Sequence, residues 1–483
     1  METGDWSSDS LNRTLQCVVM KFGGTSVEDS VAIRRAGALV KSRLSEHPVV
    51  VVSAMAKVTD QLLNAAKAAA EGAIPRITES LQQLSERHLR VARELLDGEN
   101  CTQLCHQLRC ELDLICELTS RVQTEGALSG QLQDHLSGVG EALSSKILQA
   151  WLRQIGVDAV WVDAKNCIVT DAAYTRATPL CSEISDRTEA LLVPLLQAGR
   201  VPVLGGFVGA TRDGVPTTLG RGGSDFSAAL LGAALHAQRI EIWTDVDGVM
   251  TTDPNLCRQA RSVSRMSFDE AADLAYFGAK VLHPSTLVPA MASRIPVHVL
   301  NSSNPGYQGT EILPQVLGVG EVKAIAAKNV ALVNVDSMAL PPREVFEALD
   351  RHRQDTDLIS ASRGNLAFIV NQTAELPAIA KELESRASVR WQNHKALVSL
   401  VGEQIRCRPE IASQALRAIR GLDARLIWLG VSDRSISFLM DEPQAIKAVR
   451  HLHTCFFPKD KMVDCRRAEA APFQALCQAG AWH

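Results

Sequence analysis

Residues 17–53, CVVMKFGGTSVEDSVAIRRAGALVKSRLSEHPVVVVS, decide the fold. Cys17–Val19 and Val49–Ser53 are short β-rich runs that end in small residues or glycine, and Val31–Leu44 between them carries helical periodicity. Strand, crossover helix and second strand make a βαβ opening, whose two strands lie parallel. Farther along, Ile77–Ile147 is a long helical stretch with few breakers. Strand signals at Ala159–Val162, Val201–Leu204 and Arg239–Trp243 then alternate with helices. That alternation predicts an α/β fold of three layers: a mostly parallel sheet with helices on both faces.

The chain has 483 residues, enough for about two to four domains, and its 46% hydrophobic and 22% charged content is that of a globular enzyme. Fifty basic against 54 acidic residues leave a formal charge of -4. No global basic field is available for nucleic acid or an anionic membrane, so any anion must be bound locally. Met1–Leu15 carries Asp5 and Arg13 without an apolar core of the signal-peptide kind, and no apolar run reaches membrane-spanning length; the expected location is cytoplasmic. The twelve cysteines include a group, Cys101, Cys105, Cys110 and Cys116, beside His106, but there is no C-x-x-C pair. Spacings this irregular predict helix packing, with no metal site.

Around Asn301–Gln308 the composition shifts to Asn, Ser, Pro and Gly, a loop and domain edge. Beyond it two segments resemble each other at a period of about 70 residues. Arg343–His352, Leu358-Ile359, Leu366–Val370 and Ala378–Ser385 form one; Ile411–Ile419, Leu426-Ile427, Ile436–Met440 and Ala445–His453 form the other. Each reads helix, strand, strand, helix after its own strand, Val330–Val335 or Ala396–Val401, which fits a ferredoxin-like βαββαβ module. Paired modules without clustered catalytic residues point to ligand binding or association. The expected domains are 16–315, 322–392 and 393–460. Pro458–His483 suggests no role.

Neither a G-x-x-x-x-G-K-[ST] loop nor a G-x-G-x-x-G fingerprint follows a strand, so any phosphate site must be built otherwise. Lys21-Phe22-Gly23-Gly24-Thr25-Ser26 leaves the first strand directly. Its glycines let backbone N–H groups approach phosphate oxygens while Lys21 supplies a cation, although a surface turn with a solvated lysine would use similar residues. Gly220-Arg221-Gly222-Gly223-Ser224-Asp225 precedes the helical run Phe226–Leu235 and forms a second anion site, with Arg221 as a planar fork for a carboxylate. Asp225 could instead simply cap that helix. Thr244-Asp245-Val246-Asp247-Gly248 ends a strand at the sheet edge where α/β ligands bind. Phe277–Pro284 adds Lys280, and His283 before Pro284 reads as a turn residue. Glu141 is placed at the start of a helical run, where the dipole favours any carboxylate; the functional alternative is that it faces a substrate ammonium. Together these features describe phosphoryl transfer from a nucleotide to an anionic acceptor, chemistry that needs positioning and charge stabilisation. A carboxylate acceptor is already ionised at neutral pH and needs no strong base, which agrees with the lack of a catalytic His or Cys.

At these residues the chain resembles the aspartate kinase family of the amino-acid kinase fold. The resemblance rests on KFGGTSV (21–27), SAMAKVTD (53–60), LGRGGSD (219–225), WTDVDGVMTTDP (243–254) and FGAKVLHP (277–284), in order over nearly the whole chain. It implies that Lys21, Phe22, Gly23 and Gly24 meet the ATP phosphates, with Asp225 positioning Lys21 and both acting in catalysis. Thr244, Asp245, Met250, Asn255, Lys280 and Val281 fall on the nucleotide side. Thr59, Glu141, Arg221, Gly222, Gly223 and Ser224 hold L-aspartate, Glu141 on its amino group and Arg221 on its α-carboxylate. Magnesium would accompany ATP, and no protein metal site is implied. The product is 4-phospho-L-aspartate, on the route to lysine, threonine and methionine. The repeats become ACT modules that pair in a homodimer or larger assembly and bind an end-product amino acid, lysine or threonine.

Met250 and Asn255 stand where many relatives have Tyr and Arg. Met338–Pro342 (MALPP) lacks the Gly-Phe pattern of lysine-sensitive relatives. Two other readings use the same residues: another carboxylate or carbamate kinase of this fold, and an amino-acid sensor with a degenerate kinase domain. The intact lysines and both Gly-rich loops argue for an enzyme. No second nucleotide-binding unit follows the repeats, so a fused homoserine dehydrogenase is not expected.

Overall fold

A computed structural model describes residues 16–458 except 280, 281, 283, 317–319, 337–339, 363 and 429–431. These residues fall into two compact units. The first comprises 16–249, Ser262–Tyr276 and 282–316. Its strands are β1 (Val18–Phe22), β2 (Pro48–Val52), β3 (Ala159–Val162), β4 (Val201–Gly205), the separate hairpin β5 (Val208–Ala210) and β6 (Pro216–Thr218), β7 (Arg239–Thr244), β8 (Arg265–Ser267), β9 (Val297–Asn301) and β10 (Thr310–Leu313). The main sheet runs β3-β4-β2-β1-β7-β9-β10-β8. Its first six strands are parallel, while β10 runs antiparallel to β9 and parallel to β8. The mostly parallel sheet predicted from the alternating pattern is therefore present.

Every residue of β1 and β2 is buried, as the continuous valine runs require of strands covered on both faces. The helices are α1 (Ser30–Ser42), α2 (Val58–Ala70), α3 (Ile74–Leu95), α4 (Gly98–Glu125), α5 (Gly130–Gln154), α6 (Cys181–Gln197), α7 (Gly223–Ala234), α8 (Phe268–Tyr276) and α9 (Pro284–Ala292). Helix α1 starts where the Asp29 carboxylate accepts the Ala32 N–H at 2.8 Å, an N-cap. The long helical stretch is interrupted between α3 and α4 and again after Gly126, whose left-handed φ of 64° ends α4. Of the clustered cysteines on α4, Cys105 is buried but Cys110 and Cys116 are exposed, so helix packing explains only part of that group.

The second unit comprises Met250–Arg261, Phe277–Ala279 and 320–458. Its elements are β11 (Ala324–Asp336), α10 (Pro342–Arg351), β12 (Asp357–Ser362), β13 (Asn365–Val370), α11 (Leu376–Leu383), β14 (Ser388–Val401), α12 (Pro409–Ala418), β15 (Leu426–Trp428), β16 (Ser435–Asp441) and α13 (Glu442–Phe456). One antiparallel sheet, β12-β13-β11-β14-β16-β15, joins both repeats. The register shows how. Ala331–Asp336 pairs with β13 and with Ser388–Gln392, whereas Ala324–Val330 pairs with Lys395–Val401, which in turn pairs with β16.

The second repeat therefore takes its fourth strand from before the first repeat. Two modules in series, 322–392 and 393–460, would leave that strand missing. Met250–Arg261, expected within the 16–315 domain, also packs in this unit. Ile325 N–H donates to the Thr251 carbonyl at 2.7 Å, Thr251 Oγ1 lies 2.9 Å from His453 Nε2, and Cys257 joins the core of Val398, Phe438 and Leu452.

Candidate functional site

In the first unit the carboxyl ends of β1, β2 and β4 open into a cavity of about 340 Å³. Strands on either side of β1 connect in opposite directions across the sheet, and such a switch point leaves a crevice at the strand ends. Lys21 comes from β1, Ser53–Ala56 from the turn after β2, Thr59 and Asp60 from the first turn of α2, Glu141 from α5, and Gly222–Asp225 from the start of α7.

Lys21 is 8% exposed, and its Nζ lies 2.6 Å from Asp225 Oδ1. Asp225 sits in the first turn of α7, whose N-cap position is Gly222 without a side-chain cap, so the aspartate serves Lys21 and does not cap the helix. Gly222 adopts a φ of 69°, a left-handed turn that a β-carbon would strain, and Gly223 N–H closes that turn by donating to the Gly220 carbonyl at 3.0 Å, which brings Gly222–Asp225 to the cavity wall.

Glu141 lies well inside α5, not at a helix start, so the macrodipole gives it no help. It is 3% exposed, and its Oε2 has no hydrogen-bond partner among the described residues. Burial pushes its carboxyl up to about 8, while a backbone hydrogen bond from Ala54 and the charge of Lys21 pull the other way. A buried carboxylate oxygen left unpaired in a cavity is suited to an incoming cation.

Other expected residues lie elsewhere. Phe22 is fully buried and stacks on Trp243 with ring centroids 6.3 Å apart. A five-residue strand covered on both faces turns that side chain into the core, so only its backbone is available to a nucleotide. Gly23 N–H donates to the Trp243 carbonyl at 2.9 Å, and Gly24 lines the cavity. Arg221 is exposed on its loop; Gly220 and Gly222 beside it line the cavity, but its side chain does not. Thr244 and Asp245 stand at the carboxyl end of β7, next to β1 in the sheet, outside the lining. Met250 and Asn255 belong to the second unit. Lys280, Val281 and His283 lie outside the described residues.

Sequence reasoning missed Phe207 and Lys57 in the lining. Phe207 has a φ of 67°, costly for a bulky residue, and its N–H donates to Ser227 Oγ at 2.9 Å while that hydroxyl donates to the Gly223 carbonyl at 3.0 Å. Two glycines after a strand, Gly205-Gly206, were the available signal.

The profile of the amino acid kinase family matches residues 16–301, and an ACT domain profile matches 398–456. The chain is 33% identical to aspartokinase 2, chloroplastic, of Arabidopsis thaliana, over 94% of its own length and 86% of that protein. It is equally 33% identical to lysine-sensitive aspartokinase 3 of Escherichia coli (strain K12), over 92% and 99%. The crystal structure of E. coli aspartokinase III in complex with aspartate and ADP superimposes with a TM-score of 0.82 at 32% identity, covering 92% of this chain and all of the other.

Proposed function

This chain belongs to the aspartokinases of the amino acid kinase family and is an aspartate kinase, and we propose that the cavity beneath β1, β2 and β4 is where ATP's γ-phosphoryl group passes to the side-chain carboxylate of L-aspartate. The observation that carries the assignment is a buried acid and a buried cation on one cavity, the acid ionising as a substrate ammonium arrives. A buried carboxyl oxygen of Glu141, without a partner among the described residues, faces the same space as a buried cation held by a carboxylate, Lys21 on Asp225.

Glu141 takes the substrate ammonium, completing its own hydrogen bonding. Ser224 and Gly222 supply donors for carboxylate oxygens, Gly223 closes the turn between them, and Thr59 offers a hydroxyl. Arg221 reaches the α-carboxylate from the exposed rim. Lys21, fixed by Asp225, stabilises charge on the migrating phosphoryl, the electrostatic service such transfers need. Gly23, Gly24 and the backbone at Phe22 line the phosphate path. Thr244 and Asp245, at the carboxyl end of β7, form the nucleotide side within the first unit.

Magnesium enters as part of the MgATP substrate, held by its phosphates. The described residues contain no group of three or more His, Cys, Asp or Glu that would cage it. The ACT sheet of the second unit binds an end-product amino acid, lysine or threonine, and pairs two chains; inhibition is expected when one of these is added singly with ATP and aspartate. Among the described residues no helix is long and apolar enough to cross a membrane.

Purified protein with MgATP and L-aspartate forms an acyl phosphate that hydroxylamine traps as a hydroxamate. Absence of hydroxamate above background, with lysine still bound at equilibrium, would favour the sensor reading.

A further inference from the structure

Asp134 is a buried carboxylate that the reaction does not touch. It is 1% exposed and lies seven residues before Glu141 on α5, about two turns along the same helix face. Its Oδ1 accepts the Thr175 N–H at 2.9 Å and the Thr218 hydroxyl at 2.6 Å, and its Oδ2 accepts the Thr175 and Thr218 N–H groups at 2.8 and 2.9 Å. Burial raises its carboxyl while these bonds lower it.

The partners sit where the cavity is assembled. Thr218 ends β6, and Leu219 to Asp225 follow at once. The hairpin of β5 and β6 enters from Phe207 and leaves into Gly220, so both of its ends line the cavity. Leu219 N–H donates to the Phe207 carbonyl at 3.0 Å and ties those ends together. The Asp171–Thr178 loop backs the same turn: Ala177 N–H donates to the Thr218 carbonyl at 2.8 Å, and a β-carbon on Gly220 would stand 3.3 Å from the Thr175 carbonyl. On α5, Gly138 lies between the two acids, and a β-carbon there would come within 2.4 Å of Val208. A bare helix surface lets β5 dock at that point.

We propose that Asp134 is a positioning residue that sets the affinity for the acceptor amino acid, clasping the hairpin and the Gly-rich loop to the helix that carries Glu141. The proposal rests on the acceptor site assigned above. One helix supplies the group for the ammonium directly and, through Asp134, fixes the distance to the loop that holds the carboxylates. An acceptor as small as aspartate must meet both at once, so loosening the clasp weakens aspartate binding and leaves the ATP side, built on β1 and β7, in place.

The test is steady-state kinetics of the full chain with Asp134→Asn and Thr218→Val. Asp134→Asn puts an NH2 against backbone donors, and Thr218→Val removes one hydroxyl bond while keeping shape. The expected result is an aspartate KM raised about tenfold or more in Asp134→Asn and about threefold in Thr218→Val, with the ATP KM and kcat per folded protein within about twofold. Equal loss on both substrates, or lower Tm and yield with the aspartate KM unchanged, would overturn the proposal. If Asp134→Asn does not fold, Thr218→Val alone decides by the same split. Wild-type hydroxamate formation is measured in parallel, so a silent wild type rejects the acceptor site itself and a working wild type with unaltered Thr218→Val rejects only the clasp.

Discussion

Both units hold matched buried pairs, but at the cavity of the first, one buried acid stands apart from them. In the first, Glu141 is buried with one oxygen unpartnered among the described residues. In the second, the buried Lys395 is matched by Asp441, and the Lys328 ammonium lies 2.7 Å from Asp357. An orphaned buried carboxylate lowers stability unless a ligand completes it, whereas a matched pair is part of the sheet's own bonding. The contrast separates a place that waits for a molecule from a place that holds a fold together.

The strongest test of that contrast is Lys21→Ala. With Lys21 in the role assigned to it, kcat per folded protein falls by a factor on the order of 100 or more, read by hydroxamate formation, and calorimetry shows in addition a lower Tm because Asp225 loses its partner. A normal kcat would remove Lys21 from the phosphoryl path.

Glu141→Gln comes next, with an aspartate KM higher by about 30- to 100-fold, because the ammonium loses its counter-charge. The same variant has a pH signature. The folded carboxyl sits at about 8 against an ordinary 4.5, so the folded state holds a proton that the unfolded chain releases. The stability tied to this site is fully present below about 4.5 and lost as pH rises through about 8. Apo wild type should therefore lose Tm across that window relative to Glu141→Gln. Aspartate binding favours the ionised form and should release a proton at pH 7, seen as a buffer-dependent binding enthalpy. Parallel Tm curves for the two proteins would contradict the buried acid.

In the second unit, Asp441→Asn leaves Lys395 without its full partner. A drop in Tm is expected, smaller than for a fully buried pair because Asp441 is partly exposed, with the aspartate KM unmoved. A changed KM would blur the division between binding and structural charges. The smallest effect is expected for Arg386→Ala, which breaks a largely exposed pair with Glu344 and should shift urea unfolding by no more than about 0.5 kcal/mol.

Much of this architecture was legible in linear form. Valine runs bracketing the Val31–Leu44 helix announced parallel strands, and the repeats were visible because each helix and strand kept its own hydrophobic period. Within the site, Lys21 and the Gly220–Asp225 loop could be read because glycine beside a cation at a strand or helix end has few other uses. Asp225 stayed ambiguous between cap and ion-pair partner, since the two differ only in which long-range neighbour approaches. Phe22 looked available to a nucleotide because its position between Lys21 and Gly23 conceals that the strand is covered on both faces. Phe207 had only the Gly205-Gly206 pair before it and Asp134 had no local signal: each matters through residues that the fold brings near, at Ser227 and at Thr175 and Thr218.

Periodicity and turn chemistry are properties of neighbours along the chain, so residue order by itself determined the α/β class, the paired repeats and the Gly-rich loops at strand ends. Desolvation and partner choice depend on contacts between distant segments, and these only the tertiary structure decided. It showed that Glu141 is buried mid-helix and holds a proton to about 8, that Asp225 turns to Lys21, and that the second repeat completes its sheet with Ala324–Val330.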